Sequence, residues 1–355
     1  MVIVLTGGGT LGPVTPLLAV AEELKKLRPD ATFHWIGTFS GPERGLVEAA
    51  GMPFSAIRSG KLRRYFSLQN LGDHARLMLG IGDALKVLGR LRPAAVVSAG
   101  GFVAVPVAWA AALLGIPVHV HQLDLRPGLA NRLTAPFAKS ISVGFEELVG
   151  RFGRRAVWTG NPVRSSILKG SADEGRRLFG VSKDAPVLLV LGGGTGSAVV
   201  NSLVAGSLPR LSKAAQIIHV SGKGKAEGLP EQSARYRRVE LLGPEIAHAF
   251  AVSDIVVTRA GMGTLSEIAA LGKAAIIIPI ADSHQEENAA YFRDRGAALC
   301  LDENGLTADG FADAVTALLD DASKRTALGA KISALSKPDA ALRVADQVVT
   351  IALRR

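Results

Sequence analysis

The stretch VIVLTGGGTLGPVTPLLAVAEEL (residues 2–24) decides the fold. It reads as a short buried strand, a glycine-rich turn and then apolar residues at helical spacing. The same grammar returns as VLLVLGGGTGSAVVNSLVAGSLPRL (187–211). A second pair follows in the same order: AAVVSAGGFVAVPVAWAAALLGIPVHV (94–120) echoes DIVVTRAGMGTLSEIAALGKAAIIIPI (254–280). Each of these is a strand, a glycine-rich turn, a helix and a second strand. Two echoes in one order indicate two similar domains.

Between these anchors, FHWIG and ISVG read as further strands of the first half, and IIHVS as one of the second. Strands alternating with helical patterns predict parallel sheets covered on both faces. The expected fold class is α/β, with two Rossmann-like doubly wound domains facing a cleft. The 355 residues suit two domains of roughly 150 each. The Asn-Pro of GNPVR (160–164) is a turn signal and marks the junction. The expected domains are therefore 1–160 and 161–336. The tail, 337–355, reads as a final helix with Leu342, Val344, Val348 and Ile351 on one side. Spacing leaves open whether it returns to the first domain.

Composition narrows the classes further. A single cysteine, Cys300, excludes an internal disulfide framework and a cysteine zinc site, and reads as a small buried hydrophobe. MVIVLTGGG lacks the basic start and long apolar run of a signal peptide. No segment offers the ~20 uninterrupted apolar residues of a spanning helix. Net charge is +10, and it is uneven. Lys61, Arg63, Arg64, Arg76 and Lys86 lie between Arg58 and Arg92, interleaved with Tyr65, Phe66, Leu68, Leu77, Met78, Leu79 and Ile81. Such a mixture suits either an anionic bilayer surface or a solvated helix with its apolar face on the domain. Nucleic acid ranks last, since aromatics are only 5% and no base-reading motif is present.

A turn that leaves a parallel strand and opens a helix presents unpaired N–H groups at the positive end of the helix dipole. A diphosphate is the natural guest. Gly7, Gly9 and Gly12 match the dinucleotide pattern G-x-G-x-x-G, but that reading also wants an acid ending the second strand. FHWIGT ends at Gly37 and Thr38 instead. RAGMGTLSEIAALG (259–272) carries a stronger nucleotide signature. There Arg259 and the backbone of Gly261 to Thr264 can face phosphates, and Glu267 can bind both hydroxyls of a ribose. The bland alternative is that Ser266 and Glu267 only cap the helix. In IPIADSHQEENAA (278–290), His284, Gln285 and Asn288 follow a strand, where polar side chains suit sugar hydroxyls.

At these residues the chain resembles the MurG family, part of glycosyltransferase family 28 with the two-lobed B-type fold. GGTLGPVTPLLAVAEEL (8–24), AGGFVAVP (99–106), HQLDLRPGLANR (121–132), GNPVR, GGGTGSAVVN (192–201), RAGMGTLSEIAALG and DSHQEENA all match its motifs in order. The resemblance implies an inverting transferase, moving N-acetylglucosamine from its UDP donor to a lipid-linked muramyl-pentapeptide diphosphate. It implies that Thr10, Leu11, Gly12, Asp124, Arg164, Gly194, Gly243 and Gln285 line the donor site. Met262, Gly263, Thr264, Leu265, Ser266 and Glu267 would wrap the nucleotide. Gly12, Pro13, Gly100, Gly101 and Asn131 would meet the acceptor. An anionic membrane surface is the expected partner, with no cofactor and no metal. The chain has no Asp-x-Asp pair of the kind metal-dependent transferases use.

Two departures stand out. Pro13 replaces the family's usual His, and Gln122, Leu123 and Asp124 replace Glu-Gln-Asn. Asp124 is the first choice for the base that takes the acceptor hydroxyl's proton, and His121 the second. A different lipid or glycan acceptor, or a non-catalytic sugar-nucleotide binder, remains the alternative.

Overall fold

The computed structural model describes residues 1–60 and 69–354, with side chains undescribed for 69–74. The chain forms two compact units, Met1–Arg164 together with the segment from Lys337, and Ser165–Ser336.

Unit one is built on β1 (Val2–Thr6), α1 (Val14–Leu27), β2 (Thr32–Gly37), α2 (Glu43–Ala49) and β3 (Phe54–Ala56). Then come α3 (Gln69–Leu91), β4 (Ala95–Ser98), α4 (Ala104–Leu113), β5 (Val118–Gln122) and α5 (Leu129–Thr134). It closes with β6 (Ser140–Val143), the short α6 (Val149–Phe152) and β7 (Ala156–Trp158). All seven strands are parallel, in the order β3-β2-β1-β4-β5-β6-β7.

Unit two repeats the plan: α7 (Ala172–Phe179), β8 (Val187–Leu191), α8 (Ala198–Ala214), β9 (Gln216–Val220) and β10 (Tyr236–Val239). After these come α9 (Ile246–Val252), β11 (Ile255–Thr258), α10 (Met262–Leu271), β12 (Ala274–Ile277), α11 (Gln285–Asp294) and β13 (Leu299–Cys300). α12 (Ala308–Asp320) and α13 (Ala322–Ala334) complete it. Its strands are again parallel, in the order β10-β9-β8-β11-β12-β13.

The strand order reverses between β1 and β4 in one sheet, and between β8 and β11 in the other. Those switch points are where open α/β sheets bind ligands. The four echoed glycine-rich turns follow β1, β4, β8 and β11. The internal repeat thus marks the two strand ends that flank each switch point.

Burial explains why these runs are strands. Ile3, Val4, Leu5, Val96, Val97, Val118 and Val120 are fully buried in unit one. Leu188, Val190, Ile255, Val257, Ile276 and Phe311 do the same in unit two. Cys300 lies half-buried with its thiol on Ala289 O, and burial pushes that thiol up to about 11. The tail forms α14 (Ala340–Leu353), packed on α1, β4, β5 and β6. Its buried face is Ala341, Val344, Ala345, Val348 and Ile351. Leu342, expected on that side, is exposed.

Along α3, Leu77, Ala84 and Leu88 are buried, whereas Arg76, Met78 and Leu79 are exposed, Met78 by 65%. Lys61, Arg63, Arg64, Tyr65, Phe66 and Leu68 lie outside the described residues. No helix among the described residues is long and apolar enough to cross a membrane.

Leu24, fully buried on α1, tests this packing. Leu24→Ala is expected to cost about 2–5 kcal/mol of stability by leaving a cavity. Denaturant unfolding followed by circular dichroism measures it.

Candidate functional site

In unit two the start of α10 is open. Its N-cap, Gly261, has no side chain, so nothing caps the helix. The first helical bond runs from Leu265 N to Gly261 O (3.1 Å), which leaves the amides of Met262, Gly263 and Thr264 ahead of it. Elsewhere in the unit, Ser171, Ser197, Thr307 and Asp321 cap α7, α8, α12 and α13 with their side chains, whereas α9 and α11, like α10, have no side-chain cap. The uncapped end carries the positive pole of the dipole and suits a diphosphate. Glu267 lies four residues after Gly263, on the same helix face, where side chains lean back toward the N-terminus. It is 7% exposed. Ser266 does not cap; its hydroxyl donates to Met262 O (2.6 Å). Leu265 is fully buried core. The Leu265 side chain therefore belongs to the core, and the Ser266 hydroxyl is spent on its own helix.

The turn after β8 lies beside this helix end in the sheet order. Gly193 and Gly196 have φ of 84° and 72°. A Cβ on Gly196 would lie 2.2 Å from Ser221 O, so the turn after β9 packs on it backbone to backbone. Lys225 Nζ donates to Gly196 O (3.0 Å). Gly194 and Thr195 are exposed, and their amides donate to nothing among the described residues.

Arg259 corrects the expectation that it faces phosphates. Its guanidinium is buried and fully used, on Ser197 Oγ (2.8 and 3.1 Å), Ile278 O (3.1 Å), Pro279 O (3.2 Å) and the Glu303 carboxylate. The other oxygen of Glu303 accepts from Ala281 N (2.9 Å). Burial would raise the Glu303 carboxyl, but the Ala281 amide and Arg259 hold it below the usual range. One ion pair therefore ties together the turns after β8, β11 and β12. Sequence reasoning missed Glu303, which carries no motif around it.

Gln285 Oε1 accepts from Ala260 N (3.1 Å) and Ile280 N (3.3 Å). Its amide nitrogen makes no hydrogen bond among the described residues. Asn288 is fully buried and donates to Ala260 O (3.0 Å), so it holds the turn rather than offering itself to a sugar. His284 is exposed at the start of α11. Gly243 is exposed too, but its amide donates to Glu245 Oε2 (3.0 Å), so a ligand group would replace that carboxylate.

In unit one the two glycine-rich turns meet backbone to backbone. A Cβ on Gly101 (φ 83°) would lie 2.6 Å from Gly8 O. Thr10, Leu11 and Gly12 are exposed or half-exposed, and their amides donate to nothing among the described residues. Pro13 is buried as the N-cap of α1, against Gly7, and offers a substrate no polar group. Beside Gly9, the second glycine of the dinucleotide pattern, stands the Phe102 ring, 2.2 Å from a built Cβ. Gly9 N donates to the buried carboxylate of Glu43 (3.2 Å). The place where a dinucleotide's pyrophosphate would approach is filled, which explains why that pattern misleads here. Glu43 was not legible as functional, since it lies in a short helix outside any motif.

His121 is no free base. It is fully buried, with Nδ1 on Ser142 Oγ (2.7 Å) and Nε2 on Asn161 Oδ1 (3.1 Å). Ser142 Oγ also meets His119 Nε2 (2.8 Å), and His119 Nδ1 meets Ser140 Oγ (2.7 Å). The Asn161 amide is oriented by donating to Leu123 O (3.3 Å), so Asn161 of GNPVR anchors this chain. Burial pushes His121 down to about 4 and His119 down to about 3. Asp124 is half-buried just beyond β5, where Gln122 Nε2 donates to its carbonyl (2.6 Å). Asn131 donates to His121 O (3.1 Å) and Gln122 Oε1 (2.7 Å). Its buried Oδ1 accepts no hydrogen bond among the described residues and points at Gly100, 3.1 Å from a built Cβ. Arg164 is half-buried at the end of this unit.

Two doubly wound sheets, each with glycine-rich turns at its switch point, define the two-lobed class of glycosyltransferase fold. The Glycosyltransferase family 28 N-terminal domain matches residues 3–143, and the family's C-terminal domain matches 187–344. The chain belongs to glycosyltransferase family 28. It is 40% identical over 347 residues to a Clostridium kluyveri protein, covering 96% of this chain and 97% of that one. A Legionella pneumophila protein is 39% identical over 355 residues, covering 98% and 95%. Both carry the name UDP-N-acetylglucosamine–N-acetylmuramyl-(pentapeptide) pyrophosphoryl-undecaprenol N-acetylglucosamine transferase. The crystal structure of Acinetobacter baumannii MurG shares the fold, with a TM-score of 0.72 at 23% identity over 98% of this chain and 99% of that one.

Arg259→Met strands Glu303 and is expected to cost about 3–5 kcal/mol. It should also weaken UDP binding, and calorimetry and thermal unfolding read both effects. The histidines give a pH dependence. Folded, His119 and His121 stay neutral, whereas the unfolded chain takes protons below about pH 6.5. The unfolded state then binds more protons, so stability falls as pH drops from about 6.5 toward 4. His121→Gln should lose stability less steeply over that window, and an unchanged slope would contradict the assignment.

Proposed function

We propose that this protein transfers N-acetylglucosamine from UDP-N-acetylglucosamine to muramyl-pentapeptide pyrophosphoryl-undecaprenol, completing the lipid-linked precursor of peptidoglycan. The observation that carries the reading is the open start of α10 with Glu267 on the same face. It offers amides for a diphosphate and a carboxylate for a ribose within one helix. Unit two would take the donor through Gly194, Gly243, Met262, Gly263, Thr264, Glu267 and Gln285. Unit one would take the acceptor through the amides of Thr10–Gly12, the turn at Gly100 and Gly101, and Asn131.

The reaction is a single displacement. The acceptor hydroxyl attacks the anomeric carbon, its proton passes to Asp124, and UDP leaves with inversion. The charge growing on the leaving diphosphate falls where backbone amides and the α10 dipole already point, so little reorganisation is needed. The exposed Met78 and Leu79 on α3, with the exposed Arg76 beside them in sequence, suit an anionic membrane surface. We therefore place the protein peripherally on the cytoplasmic face of the cell membrane, in wall synthesis, cell division and cell shape. The replacements at Pro13 and Gln122–Asp124 favour a second reading, in which the same donor serves a different lipid or glycan acceptor.

The test is transfer by the purified protein, with mass-spectrometric detection of the product on the muramyl lipid and on other lipid diphosphates. Asp124→Asn should abolish turnover and leave UDP-sugar binding nearly intact. Retained turnover in that variant would remove Asp124 from the mechanism.

A further inference from the structure

Glu43 is a buried carboxylate that the chemistry above does not use. Its side chain is fully shielded from solvent, and three donors converge on its two oxygens. Oε2 accepts from Gly9 N (3.2 Å), while Oε1 accepts from Thr38 N (2.8 Å) and Thr38 Oγ (2.5 Å). Thr38 Oγ in turn accepts from Gly41 N (2.9 Å). Gly8 also lies against it: a Cβ there would stand 2.3 Å from Oε1. If the only need were to fill space beneath a turn, an apolar side chain would do so at lower cost than a buried charge. The carboxylate supplies something an apolar group cannot, a fixed peptide orientation. It turns Gly9 N inward, and the next three amides, of Thr10, Leu11 and Gly12, are the ones left without an acceptor among the described residues.

We infer that Glu43 is a positioning residue for the acceptor. It sets which amides of the first glycine-rich turn face the substrate, and it does so without touching the substrate itself. This rests on the reading of unit one as the acceptor side. The predicted signature is a split between the substrates, because every contact of Glu43 named here lies in unit one.

Glutamine tests the point because it is nearly isosteric but offers only one acceptor oxygen for three donors, with an NH₂ opposing Thr38 N or Gly9 N. In the full-length enzyme, Glu43→Gln should raise the acceptor KM by about tenfold or more. The donor KM and the calorimetric affinity for UDP should stay within about twofold. Glu43→Asp keeps both oxygens and should recover part of the loss. Thr38→Val removes one of the three donors and should raise the acceptor KM by a smaller factor, so the inference stays testable if Glu43→Gln does not fold. An unchanged acceptor KM in these variants, or equal losses for both substrates, would overturn the inference while leaving the proposed reaction standing. No transfer by the native chain would overturn the reaction, and the inference with it.

Discussion

Main chain packed on main chain is the constraint on which the site depends. At the carboxyl end of each sheet, one glycine-rich turn lies directly against another: Gly101 on Gly8 in unit one, and Gly196 on Gly222 in unit two. No Cβ fits at these contacts, and several of the glycines also hold positive φ. In these turns the amides of Thr10 to Gly12, and of Gly194 and Thr195, donate to nothing among the described residues. The start of α10 is left in the same state by a different route, a cap residue without a side chain. In the proposed function, an anion would be held by the backbone, and glycine is the sequence signature of that arrangement.

The polar side chains of the motifs have a different task. Arg259, Glu303, Asn288, Asn161, His121 and Glu43 make their hydrogen bonds to neighbouring backbone or to buried side chains, and Gln285 does so through its carbonyl oxygen. They fix the direction in which the turns present their amides. Unit two repeats the buried-histidine device of unit one: His219 bonds Tyr236 OH through Nδ1 (2.9 Å) and Asn201 Oδ1 through Nε2 (3.0 Å). Asn201 then holds Ser221 O and Lys225 O, the turn that packs on Gly196. Burial keeps both histidines well below their ordinary range, which suits a permanent neutral strut rather than a proton carrier.

Much of this fold is legible in the sequence because central strands are buried on both faces. Their apolar runs are continuous, and the repeat fixes their order. Four strands were not read: β3, β7, β10 and β13. All four are sheet edges, short and partly exposed, as in YRRV of β10 and LC of β13, so they carry no apolar run. At the site, turn positions were legible and side-chain roles were not. Arg259 in a phosphate-type turn and His121 near the end of β5 have the residue types of chemistry, yet their partners are distant in sequence: Glu303 for one, Ser142 and Asn161 for the other. A motif shows which residues share a turn, and only the three-dimensional neighbours show which way each points.

The central claim is that the donor diphosphate rests on main-chain amides of unit two. A crystal structure with UDP-N-acetylglucosamine tests it most directly. Phosphate oxygens within hydrogen-bonding distance of the amides of Met262 to Thr264, with Glu267 on the ribose hydroxyls, are the predicted result. A diphosphate held instead by the first glycine-rich turn of unit one, with the start of α10 untouched, would contradict it.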